Sequence, residues 1–318
     1  MKNHGSGFTL LLLLIVLAIG TGCGLFVHHI PQGKILSPTG RDHFVRVGGV
    51  NYHYLEYPAD GENIFLLHGY ASSTYTWEKV APILNKAGFH VWALDMKGFG
   101  WSDKPRDAKY DPVSLMEDIN AWMDYMGLRG VTFVGNSLGG GIALMMAIYH
   151  PEKIKRLVLI DAAVYPQKAP LVIRMSNWPG AVLTSKLIFG RWMIRMNLHQ
   201  VYYHKDWVTK EQVDAYYDRL RTDNALYATV EVARAIERTR KESFKKYMEK
   251  MHGVKIPTLI IWGKEDKWIP IKNAYRLKKD LPNAVLAVIP ECGHIPEEEK
   301  PEKTAAVIKD FVMGKIID

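Results

Sequence analysis

Residues 131–141, Val-Thr-Phe-Val-Gly-Asn-Ser-Leu-Gly-Gly-Gly, decide the fold of this chain. A short apolar run ends at Gly135, Ser137 follows, and Gly139 completes a G-x-S-x-G pattern. Apolar, helix-forming residues continue through 142–148. A strand, a sharp turn and a helix in this order are typical of a nucleophile elbow, which presents a serine hydroxyl where a base can reach it. Close packing of strand and helix at such a turn requires that residues 135 and 139 carry no side chain.

A serine nucleophile needs a base, and a loop at the end of a strand is the usual place for one. The histidines that follow Ser137 are His150, His199, His204, His252 and His294. Only His294 lies in a loop directly after a predicted strand, which covers 284–289. His150 ends the predicted elbow helix, and the other three lie in a polar, helix-rich region. The sequence therefore predicts that His294 is the base.

The acid that orients the base is predicted at Asp266. The apolar run 256–262 indicates a buried strand, and Asp266 follows in the turn after it. A buried carboxylate there would hold the imidazole in the required tautomer. Two competitors remain: Glu265, and Asp161, which follows the apolar run 157–160 and could also reach the base. We favour Asp266 and interpret Glu265 as a solvated loop charge.

Backbone amides are predicted to stabilise the oxyanion of the reaction. One donor is the N–H of Leu138, directly after the nucleophile and at the start of the elbow helix, where the helix dipole helps. The second is the N–H of Tyr70, because the apolar run 64–67 leads into His68-Gly69 at an early strand end. His68 itself is interpreted as a structural residue that braces this loop.

Five stretches in the expected order resemble the α/β-hydrolase superfamily. They are Leu-Leu-His-Gly-Tyr (66–70), Asp-Met-Lys-Gly-Phe-Gly-Trp-Ser-Asp-Lys-Pro (95–105), Gly-Asn-Ser-Leu-Gly-Gly (135–140), Trp-Gly-Lys-Glu-Asp (262–266) and Cys-Gly-His-Ile-Pro-Glu-Glu-Glu-Lys-Pro (292–301). The resemblance covers 42–318 apart from a variable middle. It implies a triad of Ser137, Asp266 and His294. It also implies oxyanion donors at Tyr70 and Leu138, and neither a cofactor nor a metal.

Within the superfamily, the elbow is similar to that of meta-cleavage-product hydrolases, which break carbon–carbon bonds. Those enzymes tend to carry a Gly- and Pro-rich stretch after the His-Gly, whereas this chain has Tyr-Ala-Ser-Ser-Thr at 70–74. Ser137 argues against haloalkane dehalogenases and epoxide hydrolases, which use an aspartate nucleophile. We expect a carboxylic-ester hydrolase that acts on small lipophilic or lipid-like esters. A carbon–carbon hydrolase and a non-catalytic binding protein on the same fold are the alternatives.

Strand-like runs alternate with helical ones, which predicts a mostly parallel, doubly wound α/β sheet. The predicted strands are Phe44–Tyr57, Ile64–Leu67, His90–Leu94, Val131–Val134, Leu157–Ile160, Thr258–Trp262 and Val285–Ile289. Residues 42–163 and 254–318 form the predicted hydrolase core. Residues 164–253 interrupt the alternation with helical stretches such as Lys210–Arg221 and Ala225–Met251. Their position between two core strands predicts a helical lid.

The lid region is rich in large apolar and basic side chains. Some of the apolar ones are candidates to line an acyl pocket, with packing of the lid onto the core as the alternative: Trp178, Phe189, Trp192, Met193, Met196, Tyr202, Tyr203 and Trp207. The chain has a formal net charge of +8. No nucleic-acid-binding motif is present, so we interpret the basic residues as a solvated helix face. The more specific alternative is that these basic residues are weakly attracted to an anionic membrane surface.

Residues 1–27 form a predicted signal peptide or membrane anchor, because 8–27 carry no charge and Lys2 precedes them. Small residues before Cys23 are similar to a bacterial lipoprotein signal, which would lipidate Cys23 and tether the protein to a membrane. Residues 28–41 resemble a tether. The only other cysteine is Cys292, for which we expect a free thiol and no disulfide.

Overall fold

The computed structural model describes residues 41–166, 171–178, 180–239, 247 and 249–315. Their strands form one eight-stranded sheet in the order β1-β2-β4-β3-β5-β6-β7-β8. Strands β3 to β8 are parallel, and β1 and β2 are antiparallel to their neighbours. The strands are β1 Asp42–Val47, β2 Val50–Tyr57, β3 Asn63–Leu67, β4 His90–Leu94, β5 Val131–Asn136, β6 Ile154–Ile160, β7 Thr258–Gly263 and β8 Ala284–Ile289.

The central strands are buried on both faces, which explains why their sequences are continuous apolar runs. Phe65 and Leu67 of β3 point into one apolar core, and Ile64 and Leu66 point into the other. The first core is closed by α2 (Pro112–Tyr125), α3 (Leu138–Tyr149) and α9 (Lys272–Asp280). The second is closed by α1 (Val80–Lys86) and α11 (Pro301–Val312). The predicted doubly wound α/β-hydrolase architecture is therefore confirmed.

The first predicted strand is wrong in one respect, because Phe44–Tyr57 is two antiparallel strands and not one. Gly48 and Gly49 have φ values of +56° and +84° and connect Val47 to Val50 in a two-residue turn. A hairpin of this kind needs positive φ at both central residues, and glycine adopts it without strain.

The region predicted as a lid, between β6 and β7, contains five α-helices whose bounds the structure gives. They are α4 Leu171–Arg174, α5 Ala181–Ile188, α6 Arg191–Val201, α7 Lys210–Leu220 and α8 Ala225–Thr239. Of the predicted helix Ala225–Met251, residues 225–239 form α8 and residues 247 and 249–251 are also helical, while residues 240–246 and 248 lie outside the described chain. A capping box at Thr209 and Gln212 starts α7. The exact lid and core boundaries stay predictions.

The N-terminal predictions concern residues that the structure does not describe. The predicted signal peptide or anchor at 1–27, the tether up to residue 40, and Cys23 all lie outside the described chain. None of the helices that the structure does describe has both the length and the apolar character needed to cross a bilayer.

Candidate active site

Ser137 lies in a strained turn between β5 and α3. Its φ and ψ angles are 52° and −115°, a region that ordinary residues avoid unless their surroundings impose it. A Cβ on Gly135 would lie 2.3 Å from the carbonyl oxygen of Gly139, and one on Gly139 would lie 2.4 Å from that of His68. The elbow therefore has the geometry that the G-x-S-x-G pattern predicts, and no side chain fits at either glycine.

The structure brings Ser137, His294 and Asp266 into one hydrogen-bonded row. His294 Nε2 lies 2.9 Å from Ser137 Oγ, and His294 Nδ1 lies 2.7 Å from Asp266 Oδ2. Asp266 Oδ1 accepts the backbone N–H groups of Trp268 and Ile269, at 2.7 and 2.9 Å. All three triad side chains are buried. This arrangement can transfer the serine proton to the imidazole, although the catalytic roles stay predictions.

The loop that carries His294 is held by both the core and the lid. The His294 N–H donates to the carbonyl oxygen of Val201 at the end of α6, at 2.7 Å. The Asn136 side-chain amide donates to the carbonyl oxygen of His294, at 3.1 Å. Asn136 thus has a structural role beside the elbow.

Glu265 is hydrogen-bonded to the loop that carries His294, so its interpretation as a solvated loop charge is wrong. Its Oε2 accepts the N–H of Cys292 at 3.0 Å, and its own N–H donates to the Cys292 carbonyl oxygen at 3.0 Å. Cys292 is a free, buried thiol, as predicted, and its burial raises the pKa of the thiol. Because only a thiolate is a good nucleophile, Cys292 is chemically inert here.

Asp161, the other competitor for the acid, lies next to Asp266 instead of replacing it. Both Asp161 oxygens accept the Gly263 N–H, at 3.1 and 3.3 Å. Burial and then the negative charge of Asp266 raise the pKa of Asp161 well above its usual range. Asp161 therefore holds its proton to a higher pH than an exposed aspartate does, and it hydrogen-bonds the Asp266 carboxyl group.

Asp161, Asp266 and His294 also bring three potential metal-ligand atoms within 4.8 Å of one another. Both ring nitrogens of His294 are already engaged, one by Asp266 and one by Ser137. A metal ion here would have to displace the bond that prepares Ser137 for attack. The arrangement is therefore better explained as a proton-transfer row than as a metal centre.

The two predicted oxyanion donors flank Ser137. A Cβ on Gly69 would lie 3.2 Å from Ser137 Cβ, so the strand end before Tyr70 passes directly beside the nucleophile. Among the described residues, the Tyr70 N–H donates to no acceptor of the protein and lies at the same cavity as Ser137. Leu138 is the first residue of α3, where amide groups lack partners within the helix. Their role in oxyanion binding stays a prediction.

His68 has the bracing contacts that were predicted for it. Its Nε2 accepts the N–H of Met96 at 3.1 Å, and its Nδ1 donates to the carbonyl oxygen of Gly69 at 2.7 Å. Burial lowers the pKa of His68, which keeps the imidazole neutral and fixes this tautomer. His68 thus links the strand ends β3 and β4 beneath the oxyanion loop.

A buried carboxylate that the sequence analysis missed supports the same loop. Asp95 accepts the N–H groups of Thr74 and Trp101, at 2.6 and 2.8 Å, and lies 2.7 Å from His53 Nδ1. Burial opposes its ionisation, but His53 and these donors hold the pKa of Asp95 well below its usual range. Asp95 opens the conspicuous stretch 95–105, so its position at the end of β4 was the available signal.

Two consecutive glutamates on α10 (Pro296–Glu299), Glu298 and Glu299, connect the His294 loop to the lid. Glu298 accepts hydrogen bonds from Tyr202 at 3.1 Å, from Gln212 at 3.4 Å, and from Tyr216. Glu299 accepts the N–H groups of residues 203, 204 and 293, at 3.1, 2.7 and 2.7 Å. Sequence reasoning gave no sign of the contacts with the lid, because the lid partners lie 82 to 96 positions away in the chain.

A cavity of about 410 Å³ lies between the lid and the core and ends at Ser137 and His294. Four of the apolar lid residues named from the sequence line it: Trp178, Trp192, Met193 and Met196. Phe189 and Tyr202 instead pack inside the lid, and Tyr203 and Trp207 lie outside the cavity. Among the described residues that line the cavity, none is Asp, Glu, Lys or Arg.

The sheet order, the serine elbow and the hydrogen-bonded row after β7 and β8 define a hydrolase of the α/β type. The chain belongs to the alpha/beta hydrolase fold family, whose family model matches residues 62–301.

Several relatives of this family are similar over most of the chain. A hydrolase of Bacillus subtilis, YugF, is 30% identical over 84% of this chain and 96% of its own. The 2-hydroxy-6-oxo-6-(2'-aminophenyl)hexa-2,4-dienoic acid hydrolase of Metapseudomonas resinovorans is 29% identical over 85% of this chain and 90% of its own. A bacterial membrane phospholipase A superposes with a TM-score of 0.71 and 27% identity, over 86% of each chain.

Proposed function

We propose that this protein is a serine hydrolase that cleaves carboxylic esters of lipophilic or lipid-like acids through an acyl-enzyme. The observation that carries the proposal is the row Ser137–His294–Asp266 at the end of an apolar cavity. The row supplies a nucleophile and a base, and the cavity supplies a place for an acyl chain.

The reaction follows from the positions of these groups. Ser137 Oγ attacks the ester carbonyl carbon while His294 Nε2 takes the hydroxyl proton, and the Tyr70 and Leu138 amides stabilise the negative carbonyl oxygen. His294 then protonates the leaving alcohol, and the acyl group remains on Ser137. A water molecule, deprotonated by His294, attacks the acyl-enzyme and releases the acid. Asp266 stabilises the charged imidazole in both steps.

The walls of the cavity support a neutral, apolar substrate. The described residues that line it carry no charge, and Trp, Met, Ile and Leu side chains dominate it. A dienoic acid, such as the substrate in the name of the Metapseudomonas enzyme, carries a carboxylate, and the described lining of the cavity offers no Lys or Arg to pair with it. The similarity to a bacterial membrane phospholipase A supports a lipid-like ester as the occupant of this cavity.

We further propose that the protein is exported and tethered to a membrane, by residues 1–27 as an anchor or by a lipid on Cys23. The uncharged run 8–27 and the small residues before Cys23 support this. Mass spectrometry of the mature N-terminus distinguishes the two. A diacylated Cys23 as the first residue indicates a lipoprotein, and an intact Met1 indicates an anchor.

The test is hydrolysis of p-nitrophenyl esters of increasing acyl length by the wild type and by Ser137→Ala. The variant should lose a factor of about 10⁶ in turnover, as expected when a triad nucleophile is removed. Ser114→Ala on α2, remote from the cavity, is the matched control and should keep wild-type turnover. Undiminished turnover in Ser137→Ala would contradict the assignment.

Two further measurements separate the alternatives. A carbon–carbon hydrolase would turn over a vinylogous 1,5-diketone acid and no simple ester. A non-catalytic binding protein would leave Ser137 unlabelled by a fluorophosphonate probe, whereas an activated serine reacts with the probe and shows the mass increase on its own peptide.

A further inference from the structure

The lid carries an exposed apolar surface around the mouth of the cavity. Seven of the 17 large apolar side chains that are exposed in the described chain fall between residues 175 and 196. We call these seven the lid face: Met175, Trp178, Leu183, Leu187, Ile188, Trp192 and Met196. A concentration of this kind marks an interaction site, because soluble surfaces normally scatter their large apolar residues.

The lid face is continuous with the cavity that ends at Ser137. Five of its members line the cavity although they are 40% to 60% exposed, so they form its rim. Leu183 and Leu187 do not line the cavity. They lie one turn apart on α5, on the stripe next to Thr184 and Ile188, which do line it. The apolar surface therefore extends outward from the cavity onto the exterior of the lid.

The charged residues within the sequence segment that carries the lid face have one sign. No Asp or Glu occurs between Asp161 and Asp206, a stretch that contains Arg174, Lys186, Arg191 and Arg195. Arg174, Lys186 and Arg195 are exposed. Arg191 pairs with Asp214 of α7, so its charge is locally balanced. The remaining cations are exposed on the same segment as the seven apolar side chains, and this segment contributes no acidic residue.

We propose that the lid face docks onto an anionic lipid bilayer, so that the mouth of the cavity opens into the membrane. Exposed tryptophans, aliphatic side chains and peripheral cations are the combination that binds the interface of an anionic membrane. A second copy of the chain fits this surface less well, because a symmetric contact would bring the cations of both copies together. This contact is additional to the proposed N-terminal tether and does not depend on the reaction that Ser137 performs.

The tryptophan distribution gives a direct readout in the full-length chain. Residues 1–40 contain no tryptophan, and Trp77, Trp92, Trp101, Trp122 and Trp262 are buried in the core. Trp178 and Trp192 of the lid face are 58% and 60% exposed. Quenching by lipids with brominated acyl chains requires contact with the bilayer interior. Docking of the lid face is therefore the event that quenches these two side chains.

The experiment measures quenching of the full-length protein on vesicles of brominated phosphatidylcholine, with and without phosphatidylglycerol. We expect strong quenching on the anionic vesicles and weaker quenching on the neutral ones or in 0.5 M NaCl. Trp178→Phe/Trp192→Phe should remove most of the quenching. Trp207→Phe, which changes an exposed tryptophan outside the lid face, should keep it. Equal quenching on both vesicle types, or quenching unchanged in the double variant, would overturn the proposal.

A second pair of variants tests the surface without changing the cavity lining. Leu183→Ser/Leu187→Ser should lower the quenching at least about threefold, because two apolar side chains no longer enter the bilayer. Turnover of a soluble short-chain ester should be unchanged. Val113→Ser/Tyr125→Ser on α2 replaces two apolar side chains of comparable exposure and should change neither property. Quenching that survives in the leucine variant would contradict the proposal.

Two controls separate docking from hydrolysis and from self-association. Ser137→Ala should be quenched as the wild type is, because docking does not need the nucleophile. A wild type that docks but hydrolyses no ester would refute only the proposed function. Sedimentation without vesicles reports the mass in solution. A dimer that the leucine variant dissociates, together with no quenching of the wild type, would assign the lid face to self-association instead.

Discussion

The replacement Asp266→Asn tests how the acid of the triad works. Asp266 Oδ1 accepts two backbone N–H groups, from Trp268 and Ile269, and Oδ2 faces His294 Nδ1. In the variant the amide oxygen will take the position with two donors, so the NH₂ group will face Nδ1. Nδ1 then becomes an acceptor and the ring proton moves to Nε2, opposite Ser137, where a base must be unprotonated. We expect kcat to fall about 10⁴-fold, or about 5.4 kcal/mol in barrier.

Asp161 determines what activity remains in that variant. Without the charge of Asp266, the like-charge repulsion that helps raise the pKa of Asp161 is gone, and Asp161 can ionise at lower pH. One carboxylate oxygen of Asp161 lies within 4.8 Å of a carboxylate oxygen of Asp266 and of a ring nitrogen of His294. A charge 4.8 Å from the imidazolium stabilises it by about 3.5 kcal/mol at an effective dielectric constant of 20. The residual kcat of Asp266→Asn should therefore rise with pH and exceed that of Asp161→Asn/Asp266→Asn by about 10².

Asp161→Asn by itself is the control for this reasoning. An asparagine amide can still accept the Gly263 N–H and donate to Asp266, and asparagine tolerates the positive φ of 42° at this position. We expect kcat to change by less than about 10-fold, the effect of one modified hydrogen bond. The assay is kcat and kcat/KM for a p-nitrophenyl ester between pH 6 and 9. Equal activity of Asp266→Asn and the double variant over this range would refute the role given to Asp161.

Two further predictions concern packing and pH. Gly139→Ala should lower the free energy of unfolding by about 2 kcal/mol in a denaturant titration and reduce turnover, because its Cβ would lie 2.4 Å from the His68 carbonyl oxygen. Unchanged stability would contradict the close approach at the elbow. Glu297→Gln should reduce the pH dependence of stability. Burial raises the pKa of Glu297 well above its usual range, so the folded protein holds a proton that the unfolded chain releases. Stability thus falls as pH rises above about 4.3, by about 1.4 kcal/mol per unit from this group. Titrations at pH 5 and 7 should show a smaller difference for the variant, and an equal difference would disprove this account.

The fold could be predicted because local patterns specify it. The run Ile64–Leu67 is apolar on both faces and is bounded by turn residues, and it became β3 with one additional residue. His90–Leu94 became β4 with the same bounds. The turn Gly48-Gly49 was missed because the apolar pattern continues on both sides of it, although two adjacent glycines are a sufficient signal for a hairpin.

The positions of the three triad side chains could also be predicted, since parallel strands bring their carboxyl ends to one edge of the sheet. The roles of neighbouring acids could not. Glu265 and Asp266 are adjacent in the sequence, yet one holds the Cys292 amide and the other holds His294. Which carboxylate faces the base depends on the exit direction of the chain after β7. The proton on Asp161 depends on burial between strands that are distant in sequence.

The contacts of α10 constrain how the lid can admit a substrate. The end of α6 accepts the His294 N–H, and Glu299 holds the amides of residues 203, 204 and 293 together. Any motion that lifts this end of α6 would pull His294 away from Ser137 and abolish the row. Substrate must therefore enter where the lid is not tied to the His294 loop. That is the side of α4 and α5, where the lid face forms the rim of the cavity. The part of the lid that is hydrogen-bonded to the His294 loop keeps the base in position, and the lid face supplies the entrance.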